Sequence, residues 1–135
     1  MTSRISHTSI DAHDAYAQAT WWAEVLGMTG DPEQPDQPGD EECLIMSPDR
    51  LMQVLFIEVP ERKSIKNRIH FDLRPTDRTQ AEEIDRLLAL GAGEVDDRRT
   101  ADGGGWMVLA DPEGNEFCIL LSDAERASYL ARTAS

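Results

Sequence analysis

The sequence predicts an α+β fold of two modules with the same order of elements, each a strand, a helix and then about three strands. Three observations predict it. The first is a hairpin at residues 106–121 (WMVLADPEGNEFCILL), where Asp111 opens the turn, Pro112 fixes φ near −65° and Gly114 supplies the positive φ of a type I turn with a bulge. The second is a recurrence. His7 lies in RISHTSI and a Leu-Gly pair ends twenty residues later at Gly27, while His70 lies in RIHFDL and a second Leu-Gly pair ends twenty-one residues later at Gly91. The third is alternation of period two in the segments that carry His70 and Phe117, which marks half-buried strands.

Each element has its own reason. Residues 4–10 have the length and β-branched content of a first strand. Asp11 or Asp14 can cap the helix that follows, in which Ala12, Ala15, Tyr16, Ala19, Trp22, Ala23 and Leu26 recur at spacings of three and four before Gly27 ends it. Trp21 and Trp22 are expected to pack rather than to touch a ligand. Residues 29–42 (TGDPEQPDQPGDEE) combine three prolines, two glycines and six acidic side chains with no base, the composition of a surface loop that is either mobile or a lid. Residues 43–46 read as a short strand, 47–50 as a turn, and 51–59 as a longer strand stopped by Pro60. Residues 61–66 read as a charged, solvated connector with no part in chemistry.

The second module begins at Asn67. Residues 68–73 form a strand with Ile69, Phe71 and Leu73 on one face and Arg68, His70 and Asp72 on the other. Asp77 and Gln80 approximate a capping box for a helix whose apolar face is Ala81, Ile84, Leu87 and Leu88. Residues 93–99 read as a weak strand and 100–105 as a glycine-rich turn. In the closing hairpin Phe117, Ile119 and Leu121 face a core, while Glu116, Cys118 and Leu120 face the other way. Trp106 shares a face with Val108 and Ala110, where it either walls a cavity or fills it. The chain thus reads as one domain, 1–135, with repeats 4–60 and 67–121 and a C-terminal tail at 122–135.

Composition narrows the function. A net charge of −13 argues against nucleic acid or an anionic membrane as partner and would favour a cationic ligand, although its simplest role is solubility. There is no apolar run of about 18 residues and no signal-peptide pattern, so the expected location is the cytoplasm. Cys43 and Cys118 lack CxxC spacing and are expected to be reduced thiols.

Taken together, Trp22 with Leu26-Gly27, the run Asn67-Arg68-Ile69-His70-Phe71-Asp72-Leu73, Leu90-Gly91-Ala92 and the run Asp111-Pro112-Glu113-Gly114-Asn115-Glu116-Phe117 resemble the vicinal-oxygen-chelate superfamily. The resemblance implies the glyoxalase/bleomycin resistance/dihydroxybiphenyl dioxygenase fold, with two βαβββ modules forming a curled mixed sheet around a cavity, a small-molecule ligand and a homodimer. Superfamily members include lyases, isomerases, dioxygenases and non-catalytic binders, so the fold leaves the reaction open.

Metal-dependent members place ligands on the first strand of each half and near the end of the last strand of each half. The resemblance puts His7 and His70 at the first-strand positions. In the second half it puts Cys118 where a glutamate is usual, with Glu116 two residues earlier. In the first half the matching position is Ile57 or Val54, with Glu58 reached only in a third register. Two histidines and an ionised Cys118 could hold zinc, but two imidazoles alone bind Mg²⁺, Mn²⁺ or Fe²⁺ poorly. The expectation is therefore a binder of a small organic ligand through His7, His70, Asp72, Trp106, Glu116 and Cys118, with no cofactor and no stoichiometric metal in the purified protein. The alternatives are a metal-dependent lyase, isomerase or dioxygenase on a small oxygenated metabolite, and sequestration of a cationic drug.

Overall fold

A computed structural model describes residues 1–134, and the chain divides into two compact units, Met1–Arg62 and Lys63–Ser135. In the first unit β1 (Thr8–Ala12) leads into α1 (Ala15–Leu26), followed by β2 (Glu42–Met46) and β3 (Gln53–Glu58). The sheet order is β1-β3-β2, with β1 parallel and β2 antiparallel to β3. Asp14 is the N-cap of α1, its carboxylate accepting from the Ala17 amide at 3.0 Å, and Gly27 ends the helix in the left-handed region at φ 65°. The buried face of α1 is Ala15, Gln18, Ala19, Trp21, Trp22 and Val25, so both tryptophans are core residues and meet edge to face at 5.2 Å. Tyr16, Ala23 and Leu26, expected on that stripe, are only half-buried.

The helix packs on β2 and β3 over Cys43, Ile45, Val54 and Phe56, all nearly solvent-free. Burying an apolar side chain of this size is worth about 1.5–3 kcal/mol. Strand β1 starts four residues later than expected, and residues 4–7 are exposed. Residues 29–41 carry no strand beyond a bridge between Thr29 and Met46. Their Asp31, Pro32, Pro35 and Asp36 line a groove of about 380 Å³ with Tyr16 and Thr20 of the unit's own helix. Desolvation there pushes the Asp36 carboxyl above its ordinary range.

The second unit holds β4 (Asp72–Leu73), α2 (Gln80–Ala89), β5 (Gly93–Asp97), β6 (Met107–Ala110), β7 (Glu116–Ile119) and α3 (Asp123–Thr133). Its sheet runs β4-β7-β6-β5, with β4 parallel to β7 and the other pairs antiparallel. The hairpin between β6 and β7 closes as the sequence predicts. Gly114 sits at φ 90°, and the buried Asp111 accepts the Glu113 and Asn115 amides at 2.9 and 3.0 Å. Phe117, Ile119 and Leu121 are buried as expected.

Three expectations change. The strand at 68–73 shrinks to two residues, because the Asn67 side chain takes over the ladder: its carbonyl accepts the Glu116 amide at 2.9 Å and its NH₂ donates to the Ile69 carbonyl at 2.8 Å. Ile69 is consequently 84% exposed instead of buried. The capping box of α2 is Thr79 with Glu82, not Asp77 with Gln80, and Ala81 is exposed while Glu83 is buried. The tail at 122–134 contains helix α3, with its own capping box of Ser122 and Glu125.

The two units share one pairing scheme. Thr29 bridges Met46 and Gly93 pairs with Ala110, each two residues beyond its Leu-Gly ending. From those anchors Ser9 pairs with Leu55 as Asp72 pairs with Cys118. His7 and His70 each stand two residues ahead of these partners. The first-half counterpart of Cys118 is therefore Leu55, and neither Ile57 nor Val54 holds that place.

Candidate functional site

The second unit carries a cleft of about 590 Å³ on the face of its sheet opposite the buried Met107, Leu109 and Ile119. Alternation along β6 and β7 puts Val108, Cys118 and Leu120 into its wall, together with Glu116. Trp106, just ahead of β6, walls the cleft rather than filling a core and remains 43% exposed. Its position depends on Gly105, at φ 84°, where a Cβ would lie 2.2 Å from the Arg98 carbonyl oxygen. That close approach lets the Arg98 amide donate to the Trp106 carbonyl at 2.9 Å. Only glycine permits it.

Five of the six residues singled out from the sequence meet here: His70, Asp72, Trp106, Glu116 and Cys118 all line the cleft. His7 belongs to the first unit, where it is exposed and its Nδ1 lies 3.1 Å from the Ser6 hydroxyl. The cleft adds residues the sequence reading passed over. Lys66, read as part of an inert connector, lines it and donates to Glu116 Oε2. Asn67 and Arg98 line it too, with Arg98 paired to Asp96 at 2.6 Å. Asn67 was legible in principle, since an amide ahead of a strand can clasp a neighbouring strand's backbone. Lys66 and Arg98 carried no such signal, because their partners lie elsewhere in the chain or on a bulged edge strand.

Charges around the cleft are largely matched. Glu116 is held by Lys66, Asp96 by Arg98, and Asp72 Oδ1 lies 3.3 Å from His70 Nε2. Cys118 is 7% exposed, and burial, followed by the nearby charge of Asp72 and a hydrogen bond to its carboxylate, pushes the thiol up to about 11. It is a protonated donor at neutral pH. Among the described residues one group of metal-ligating side chains gathers, His70, Asp72 and Cys118, with one ligand atom of each within 4.8 Å of the others.

Residues 7–120 match the family profile described as glyoxalase-like domain. The chain matches no curated protein at a significant level. Among solved structures it is similar to a mutant of the fosfomycin resistance protein FosX from Listeria monocytogenes, crystallised with Mn(II) and a dihydroxypropylphosphonic acid, at 16% identity and a TM-score of 0.68 over 98% of each chain. It is similar to a glyoxalase/bleomycin resistance protein/dioxygenase family enzyme from Burkholderia phytofirmans at 20% identity and a TM-score of 0.60, covering 87% of this chain and 97% of that one. It is also similar to the oxidase ChaP-H2 at 21% identity and a TM-score of 0.57, covering 90% and 94%. At these identities the likeness is one of fold.

Proposed function

Because the chain belongs to the glyoxalase-like domain family, we propose that it binds a small organic molecule in the cleft of its second unit, through side chains and without a hard catalytic metal. The observation that carries this reading is the lining itself. Trp106, Val108 and Leu120 offer an apolar wall, and His70, Asp72, Glu116, Lys66 and Arg98 offer convergent polar groups, the usual make-up of a small-molecule site. The FosX neighbour was crystallised with Mn(II). The gathered donors of this chain do not fit such an ion: Mn²⁺ prefers oxygen ligands, and this set offers one imidazole, one carboxylate and a protonated thiol.

Sequestration of a cationic drug is the weaker reading, since Asp96 and Glu116 are already paired with bases and an organic cation would have to displace them. The proposal includes a homodimer, as the family resemblance implies, and a location in the cytoplasm.

The test is a thermal-shift screen of small oxygenated metabolites and cationic antibiotics on the protein and on Trp106→Ala. A ligand at 100 times its Kd adds about 2.7 kcal/mol of apparent stability. The expected result is a metabolite whose shift is lost in Trp106→Ala. A shift that survives the substitution would remove the cleft as the binding site.

A further inference from the structure

We propose that the C-terminal helix α3 is a clamp on the loop at residues 98–106, and that Tyr129 and Asp102 are positioning residues holding Trp106 and Arg98 in the wall of the cleft. As a determinant of binding the clamp rests on the reading of the cleft given above; as a property of the unliganded chain it does not. Both ends of the loop line the cleft, Arg98 at one and Trp106 at the other, and the Arg98 amide joins them by donating to the Trp106 carbonyl at 2.9 Å. Between them the loop closes on Asp102. The Thr100 amide donates to the Gly104 carbonyl at 3.0 Å, and Asp102 Oδ1 accepts from the Thr100 hydroxyl at 2.5 Å and the Gly104 amide at 3.1 Å.

The other carboxylate oxygen belongs to the helix. Asp102 Oδ2 accepts from the Tyr129 hydroxyl at 3.1 Å, and the Asp102 carbonyl accepts from the Arg132 guanidinium at 3.3 Å. One turn before Tyr129, Glu125 Oε1 accepts the Gln80 amide at 2.7 Å, and the Gln80 side chain donates to the Gly105 carbonyl at 3.1 Å. Helix α3 therefore reaches the loop twice, directly at Asp102 and through Gln80 at the residue ahead of Trp106. The contact with the ring is close: a Cβ on Gly104 would lie 2.7 Å from Tyr129 Cζ. Gly103 and Gly105 have positive φ but Gly104 does not, so the Tyr129 ring, not the backbone, requires glycine there.

These contacts are what α3 has in place of a core face. It is 11 residues long and none of them is buried, and a helix that short is marginal without packing. Its attachment is consequently polar and local. A segment held in this way opens at a lower free energy than the sheet it rests on. When α3 detaches, Asp102 loses its outer partners and the 98–106 closure that sets Trp106 loses its support.

The test is amide hydrogen exchange and acrylamide quenching of tryptophan fluorescence on the unliganded full chain. In Tyr129→Ala the Arg98 and Thr100 amides are expected to exchange about tenfold faster, about what one hydrogen bond to a charged group contributes. The Cys118 and Leu120 amides, which donate to Phe71 and Leu73 in the sheet, should be unchanged. Gly104→Ala displaces the ring with Tyr129 intact and should reproduce this pattern, whereas Tyr129→Phe keeps the ring on Gly104 and should show a smaller effect. Acrylamide should quench Trp106 more strongly in the first two variants, with Trp106→Phe giving the contribution of the buried Trp21 and Trp22. Leu130→Ala, on the exposed side of α3, should change neither readout. Equal acceleration of all four amides would reduce Tyr129 to general stability and overturn the proposal, as would unchanged Arg98 and Thr100 amides in Gly104→Ala. Both readouts are taken without ligand, so a metabolite screen that finds nothing removes the cleft as a binding site and leaves the clamp, while unchanged exchange removes the clamp and leaves the cleft.

Discussion

At position 118, where the family resemblance implies a carboxylate, a thiol carries no full negative charge into the cleft, and its environment keeps the charge away. Burial and the neighbouring Asp72 hold Cys118 at about 11, so at neutral pH the position is a weak donor to Asp72 rather than a ligand for a hard cation. Cys118→Glu restores an oxygen ligand beside His70 and Asp72. It is expected to raise Mn²⁺ affinity at least tenfold, about 1.4 kcal/mol, measured by calorimetric titration; an unchanged affinity would show that the thiol is not what excludes the ion. The same burial has an alkaline consequence. Cys43 and Cys118 are both raised to about 11 in the fold, against about 8.5 when unfolded. Below pH ~8.5 both states hold the proton and stability is complete; above it the unfolded chain binds fewer protons, so stability falls by up to about 1.4 kcal/mol per unit per cysteine until the folded thiols ionise. The urea midpoint should therefore drop between pH 8 and pH 10 less steeply in Cys118→Ala than in the wild-type protein. Parallel declines would sink the assignment.

At the scale of elements, local chemistry was readable wherever it was self-contained. Asp14 and Gly27 bound α1 as the sequence predicts, and the turn from Asp111 to Gly114 forms as its residues demand. The start of α2 was read two residues early because Asp77 and Thr79 both suit a cap. The choice between them is made by Gln80, whose side chain donates to the carbonyls of Gly105 and Ile119 and is buried at the first helical position. Those partners are distant in sequence, so no local rule could see them. The same holds for residues 68–70, where a side chain replaces backbone pairing. Thr79 accepts from the Glu82 amide at 3.2 Å and Glu82 accepts from the Thr79 amide at 3.0 Å. Thr79→Ala should accordingly cost about 1 kcal/mol in urea unfolding, while Asp77→Ala costs under about 0.5 kcal/mol as an exposed surface change. The reverse order would return the cap to Asp77.

At the scale of the whole molecule, the recurrence of histidine, helix and Leu-Gly ending raised the expectation of a repeat, and in each unit the first strand runs parallel to the last. The site was less legible than the fold, because a cleft is assembled from residues such as Lys66 and Arg98 whose roles only the folded chain defines. The second unit also leaves surface that a lone chain would not be expected to expose. Ile65 and Ile69 are 77% and 84% exposed, and β5, at the edge of its sheet, is exposed along its whole length with an unpaired side. Uncovered edges and large apolar side chains invite a second copy of the chain. A homodimer that persists at micromolar concentration requires about −8 kcal/mol of association free energy, within reach of an interface of ordinary size that buries these side chains. Sedimentation velocity of the wild-type protein at about micromolar concentration is expected to give the dimer mass. The double variant Ile65→Asp, Ile69→Asp, which places two like charges where apolar groups would be buried, is expected to give the monomer with an unchanged circular dichroism spectrum. A wild-type monomer would remove the dimer from the proposal, and a variant that stays dimeric would move the interface away from these residues.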